Sequence, residues 1–408
     1  MSQIKEDRKI LRELAKEYAE IARDPIQDER RRQWRRVHSL EKCRPPSYVR
    51  AFAWSEMPQN IRRVRDPFVR RYEIFFRSSL FHYTIGDDTV FEPWVTVNAV
   101  KTCTGWGIES TRRMPEEKGG AYKLDYAIKN TDDIRKMRKP WHGIDEERTR
   151  EQVSRLNEAI GDILPVDCDR SPYNYDIGLT DDLGKLRGIE NLMLDMVDNP
   201  EWLHELVSFM AKGVSGVYDQ AEAAGDWGLS PHRYSNQAMP YAKELPDPAP
   251  NTRGISRKQL WRFAQSQELT GVSPTMQEEF FLRYQIPVLK KFGLVAFGCC
   301  EDLTHKINML RQIPNLRRIA AAPSANVPRC AEQIGQDYVI SYRPSPADTV
   351  SYGFDPERIR AVMEPDLKAC RDCHLDITLK DVETVQSDPA RVRKWVGVTR
   401  ELIDEIFD

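Results

Sequence analysis

The chain has 408 residues, 40% hydrophobic and 30% charged, and its 61 basic side chains nearly balance 63 acidic ones. This is the composition of a soluble globular protein, and a formal charge of -2 argues against a nucleic-acid groove built by bulk basicity. No run of about 18 apolar residues occurs, and the first residues carry charges where an export signal needs an apolar core, so a cytoplasmic protein that engages no membrane is expected.

In chain order, the spacing first predicts a helical arm over residues 4 to about 37, where Ile4, Leu11, Leu14, Tyr18 and Ile21 recur at helical intervals among charged neighbours. Its basic end, Arg30 to Arg36, reads either as a polyanion patch or, because acidic residues surround it, as a solvated or intersubunit helix; a homodimer is therefore expected. Cys43, Arg44, Pro45 and Pro46 break the helix. The expected organisation is an N-terminal helical arm and extension over residues 1–89, packed on a barrel over residues 90–408.

From residue 90 short apolar runs alternate with helical stretches. Strands are predicted at Trp94–Val100, Asp162–Val166, Trp227–Leu229, Gly293–Cys300, Arg317–Ala322, Tyr338–Tyr342 and Leu375–Leu379. Helices are predicted between them, near Gly188–Val197, Glu201–Ala224, Thr275–Lys291, Leu303–Gln312, Val327–Gly335 and Pro356–Ala369, with a last one at Pro389–Ile406. Strands separated by single helices make a parallel α/β sheet, and about seven such units favour a closed (β/α)8 TIM barrel over an open sheet. No glycine-rich nucleotide fingerprint follows the early strands. The segment Ser230 to Ser256 is long, proline-rich and aperiodic, and after a barrel strand it would lie on the face where barrel enzymes keep their chemistry.

The sharpest chemical feature is the run from Gly293 to Asp302, an apolar strand ending in Cys299, Cys300, Glu301 and Asp302. Because side chains alternate, Val295, Phe297 and Cys299 form a bulky face suited to helices, whereas Ala296, Gly298 and Cys300 form a small face suited to the barrel interior. Cys300 is therefore the candidate facing the site. With Glu301 and with His232 from the long loop it would suit zinc, whose catalytic sites use about three protein ligands; Glu301 and His232 are also candidates for acid catalysis. The plainer reading stays open: a cysteine buried as a small hydrophobe and a carboxylate capping the next helix. Tyr234 and Asn236 could orient a substrate, Trp94 and Trp106 could wall its pocket or belong to the core, and Lys380 follows the last strand. Cys370, Cys373 and His374 form a C-x-x-C-H pattern, but they precede that strand and so belong to the stability face.

Leu186 to His204, Gly271 to Pro274, the strand end Gly298 to Glu301, Ile313 to Ile319 and Leu379 to Val385 together resemble the uroporphyrinogen decarboxylase superfamily, over roughly residues 90–407. The resemblance implies a (β/α) barrel. The arginine-rich Arg-Gln-Ala-Gly-Arg motif of the porphyrinogen decarboxylases is missing, which disfavours tetrapyrrole decarboxylation. The corrinoid-dependent methyltransferases of the superfamily bind zinc through His-x-Cys at this strand and a later cysteine. Here Gly298 stands in the histidine's place and Cys300 in the cysteine's, and Tyr342 to Ser345 offer no thiol, so any zinc site must be differently built. Gly298-Cys299-Cys300-Glu301 resembles the O-demethylase branch of anaerobic metabolism. The function implied is transfer of a methyl group from a small O-methyl donor, a methoxylated aromatic, to a separate corrinoid protein carrying cobalamin, since the chain has no Asp-x-His-x-x-Gly corrinoid-binding sequence. The alternative is a lyase acting on a small carboxylic acid.

Overall fold

The structure is a computed structural model and describes residues 2–102, 105–114, 122–172, 179–229 and 239–408. The segment predicted as one arm forms two helices, α1 (Ser2–Ala22) and α2 (Ile26–His38). Pro25 divides them, and the Asp24 carboxylate accepts from the Ile26 amide at 2.9 Å. In α1, Leu11, Leu14, Ala15, Tyr18 and Ala19 are buried against Phe68 and Phe76 of α3 (Pro67–Tyr83) and against Leu156 and Ile160. The stripe from Leu11 to Ala19 is thus covered by the chain itself, while Ile4 stays exposed.

Among the described residues the strands are β1 (Ser47–Val49), β2 (Val95–Asn98), β3 (Thr111–Arg113), β4 (Lys123–Asp125), β5 (Val166–Asp169), β6 (Trp261–Ala264), β7 (Leu294–Phe297), β8 (Leu316–Ala321), β9 (Val339–Tyr342) and β10 (His374–Leu379). Six of them form a curled parallel half-barrel in the order β1-β10-β9-β8-β7-β6. β2 and β5 make a separate parallel pair, and β3 and β4 a small antiparallel hairpin. The expected closed eight-stranded barrel is therefore met in part. The predicted strand Trp227–Leu229 is not one: its carbonyls accept from Ile255 (3.1 Å) and Ala249 (3.3 Å) of the returning chain, so it does not bridge β5 to β6.

Four strands escaped the sequence reading: the short β3 and β4, and, within the sheet, β1 and β6. β1 has three residues, comes from before residue 90, and pairs with Ile377 to Leu379. β6 is buried along its whole length and includes Arg262, whose guanidinium lies 5.1 Å from the Tyr218 ring centroid. An arginine in a buried strand hides the apolar run that would have revealed it.

The helices Pro200–Ala223, Val327–Ile334, Pro356–Ala369 and Ala390–Phe407 bury Leu206, Ile334, Met363 and Trp395 in one core with Val295 and Phe297. The inner face of the sheet is polar instead: Arg318 of β8 donates to both carboxylate oxygens of Asp376 (2.7 and 2.8 Å) and to Ser341 Oγ (2.6 Å), all buried. α2 closes the amino end of the sheet. There His38 packs 5.1 Å from Trp261, and burial with the charge of Arg318 pushes its pKa down to about 3, so it is neutral. No helix among the described residues is long and apolar enough to cross a membrane.

Candidate active site

The site is built where β7, β9 and β10 end. Ala296 of β7 is in register with Arg318 of β8, so Ala296, and with it Gly298, faces the interior. Gly298 has φ +104°, and a Cβ there would lie 2.7 Å from Leu303 Cδ1 and 2.9 Å from Ala320 Cβ. The position where the resemblance places a zinc-binding histidine therefore admits no side chain.

Beyond Gly298 the chain bends and Glu301 turns back into the protein. Its Oε2 accepts from the Cys299 amide at 2.7 Å, its Oε1 accepts from the Ser266 amide at 2.8 Å, and the residue is fully buried. The carboxylate thus ties the segment after β6 to the segment after β7. Arg343, just after β9, is also buried and donates to the carbonyls of Gly298 (3.1 Å) and Cys299. Burial, together with the like charge of Arg318, pushes Arg343 down to about 10.

Glu301 and Arg343 together leave Cys300 exposed and Cys299 partly buried, with their sulfurs 3.5 Å apart. Lys380, the residue after β10, is buried and places its Nζ 3.1 Å from Cys300 Sγ, 3.7 Å from Cys299 Sγ and 2.6 Å from Asp381 Oδ2. The hydrogen bond from Cys299 outweighs burial and, with the contact and charge of Lys380, pulls the Cys300 thiol down to about 6; the same contact and burial push Cys299 up. Burial opposes the charge on Lys380, but Asp381 and Cys300 more than offset it and raise its pKa. The cluster thus favours a thiolate at Cys300 beside the Lys380 ammonium, on the end of a parallel sheet.

Among the described residues no group of three or more His, Cys, Asp and Glu side chains is placed to hold a metal ion. Of the expected zinc ligands, Cys300 already faces an ammonium and both oxygens of Glu301 are taken by amides. The donor set as arranged does not fit zinc. His232, Tyr234 and Asn236 lie outside the described residues.

The two tryptophans separate. Trp106 is buried with its Nε1 donating to Asp182 at 2.9 Å and its ring against Phe209, a core position. Trp94 lines a cavity of about 420 Å³ with Tyr18, Tyr48, Tyr72, Phe75 and His82, in the opening between α3 and the unpaired edges of β1 and β2. Tyr48 is in register with Thr378, two residues before Lys380 along β10, but Lys380 itself does not line the cavity. Cys370 and Cys373 precede β10, at the end of the sheet away from Lys380, and burial raises both thiols.

Sequence reasoning missed Arg343, because a single arginine after a strand belongs to no motif. It also missed an ion cluster beyond β2 and β5. There Asp226 accepts from His142 (2.8 Å), Arg170 (2.5 Å) and Arg253 (2.9 Å), and burial, opposed by Asp169 and Asp226, brings Lys101 down to about 8. No short motif announces these groups, which come together only in the fold.

No protein-family model matches the chain, and no curated protein matches it. Among solved structures it is similar to a methyltransferase from Methanosarcina mazei, at 10% sequence identity and a TM-score of 0.50, with 91% of this chain and 98% of that chain covered. At that identity the likeness concerns architecture alone.

Proposed function

We propose that the chain is a methyltransferase that takes the methyl group of an O-methyl compound, a methoxylated aromatic, and passes it to the cobalt of a separate corrinoid protein. The observation that carries this reading is Lys380: a buried ammonium held by a thiolate and a carboxylate at the carboxyl end of the sheet. Breaking an aryl ether leaves an oxyanion that must be neutralised, and a positioned proton donor contributes about 10²- to 10⁴-fold. The corrinoid, when docked, supplies the nucleophile for the methyl carbon.

In this reading Lys380 Nζ donates to the ether oxygen and gives up its proton as the phenol departs. Cys300 and Asp381 keep it protonated beforehand. Arg343 and Glu301 hold the bend at Gly298 to Glu301 rigid, so Glu301 serves as a positioning residue in place of the catalytic or metal-ligating role expected of it. The task assigned to zinc falls to Lys380. The cavity bearing Trp94 and Tyr48, of a size and aromatic lining usual for small-molecule sites, receives the arene. His232, Tyr234 and Asn236 remain candidates from the loop over this face, where the corrinoid protein would dock.

The test is to incubate the protein with methoxylated phenols and a reduced corrinoid, free and protein-bound, and to measure released phenol together with the corrinoid spectrum. Demethylation that depends on the corrinoid supports the reading; none across a broad panel contradicts it. The buried cations Arg343 and Lys380 would also suit a carboxylate, which favours the lyase reading second. That activity would release carbon dioxide without any corrinoid.

A further inference from the structure

We infer that Cys299 and Cys300 form a redox modification site, at which a peroxide oxidises Cys300 and Cys299 then closes a reversible disulfide between the two adjacent residues. The geometry separates this pair from the other described cysteines. Cys300 is exposed, its sulfur is 3.5 Å from Cys299 Sγ, and the Lys380 ammonium is 3.1 Å away. Cys330 and Cys370 are buried, and Cys373 points its sulfur at the Ala331 carbonyl.

A thiolate attacks a peroxide most readily where a cation sits beside it and the reagent can reach it. The Cys300 sulfur takes one oxygen of hydrogen peroxide as the O–O bond breaks, giving a sulfenic acid and hydroxide. Lys380 protonates the hydroxide to water and is later reprotonated from solvent. The Cys299 thiol then attacks the sulfenic sulfur, a disulfide forms and a second water leaves. Two thiols are oxidised and one peroxide is reduced.

The product would be strained and therefore easily reversed. Adjacent Cα atoms are about 3.8 Å apart across a trans peptide, below the roughly 4.4–6.8 Å that disulfides usually span. Strained, exposed disulfides have the higher reduction potentials typical of labile, regulatory bridges. The bridge would also close against the bend that Glu301 and Arg343 hold at the Cys299 amide and carbonyl, which adds to the strain. Closing the bridge removes the thiolate that partners Lys380. The inference concerns the chemistry of the pair and does not rest on methyl transfer.

The tryptic peptide Phe292–Lys306 contains Cys299 and Cys300 and no other cysteine. Reduced protein treated with hydrogen peroxide should yield this peptide lighter by two hydrogens and closed to alkylation, with both changes undone by a dithiol. Cys299→Ser should instead accumulate a sulfenic acid on Cys300, trapped by dimedone, and Lys380→Met should slow the oxidation at least about tenfold. A peptide that stays dithiol, goes directly to sulfinate, or cross-links two chains would overturn the inference. So would an unchanged rate of bridge formation in Lys380→Met.

Discussion

The two ends of the sheet each carry a pair of cysteines, and the pairs have opposite chemistry. At the amino end Cys370 and Cys373 sit between the helix Pro356–Ala369 and β10, where burial raises both thiols. At the carboxyl end Cys299 and Cys300 lie beyond β7 beside Lys380, and Cys300 falls to about 6. Residue type is the same at both ends; what differs is access to solvent and a cation within reach. A parallel sheet sets that difference, because the loops that leave its carboxyl ends converge charged groups while its amino end is sealed, here by Trp34 and His38 of α2.

The comparison can be broken at several points. The largest effect is expected in catalysis: under the proposed function, Lys380→Met should lower demethylation by about 10²- to 10⁴-fold with the fold retained by circular dichroism. Next is the buried network between the two ends. Asp376→Asn leaves Arg318 without its ionised partner and should cost about 3–5 kcal/mol in urea denaturation. Gly298→Ala forces a Cβ into Leu303 and Ala320 at a backbone conformation that side chains avoid, and should cost about 1–3 kcal/mol by the same measurement. The smallest effects separate the cysteine pairs. Cys370→Ser buries a hydroxyl where a thiol packed and should cost about 1–3 kcal/mol, whereas exposed Cys300→Ser should stay within about 0.5 kcal/mol. Equal costs would mean that the two ends are alike.

Much of the carboxyl end was legible in the sequence. The alternation from Val295 to Cys300 places Ala296 and Gly298 on the inner face, and Lys380 follows a strand that the structure also shows. The role of Glu301 was not legible, because one of its two amide donors belongs to Ser266, 35 residues away. Nor was the open side of the barrel: Trp227 to Leu229 has the apolar character of a strand, and only the structure shows it paired with the returning loop. The division of the N-terminal arm was within reach, since Pro25 interrupts the pattern, but the partner of α1 is α3, and such packing leaves no local mark. Long-range pairs made the errors; local periodicity made the successes.

The central claim is that Cys300 and Lys380 form a thiolate–ammonium pair, and the direct measurement is the rate of iodoacetamide alkylation of the peptide Phe292–Lys306 against pH. A thiol with a lowered pKa is reactive above its titration point and loses reactivity as pH falls through it. The account predicts a midpoint near 6 for Cys300, moving toward the ordinary thiol value of about 8.5 in Lys380→Met, with Cys370 unreactive until the protein unfolds. A parent midpoint at or above the ordinary value, unmoved by the substitution, would contradict it.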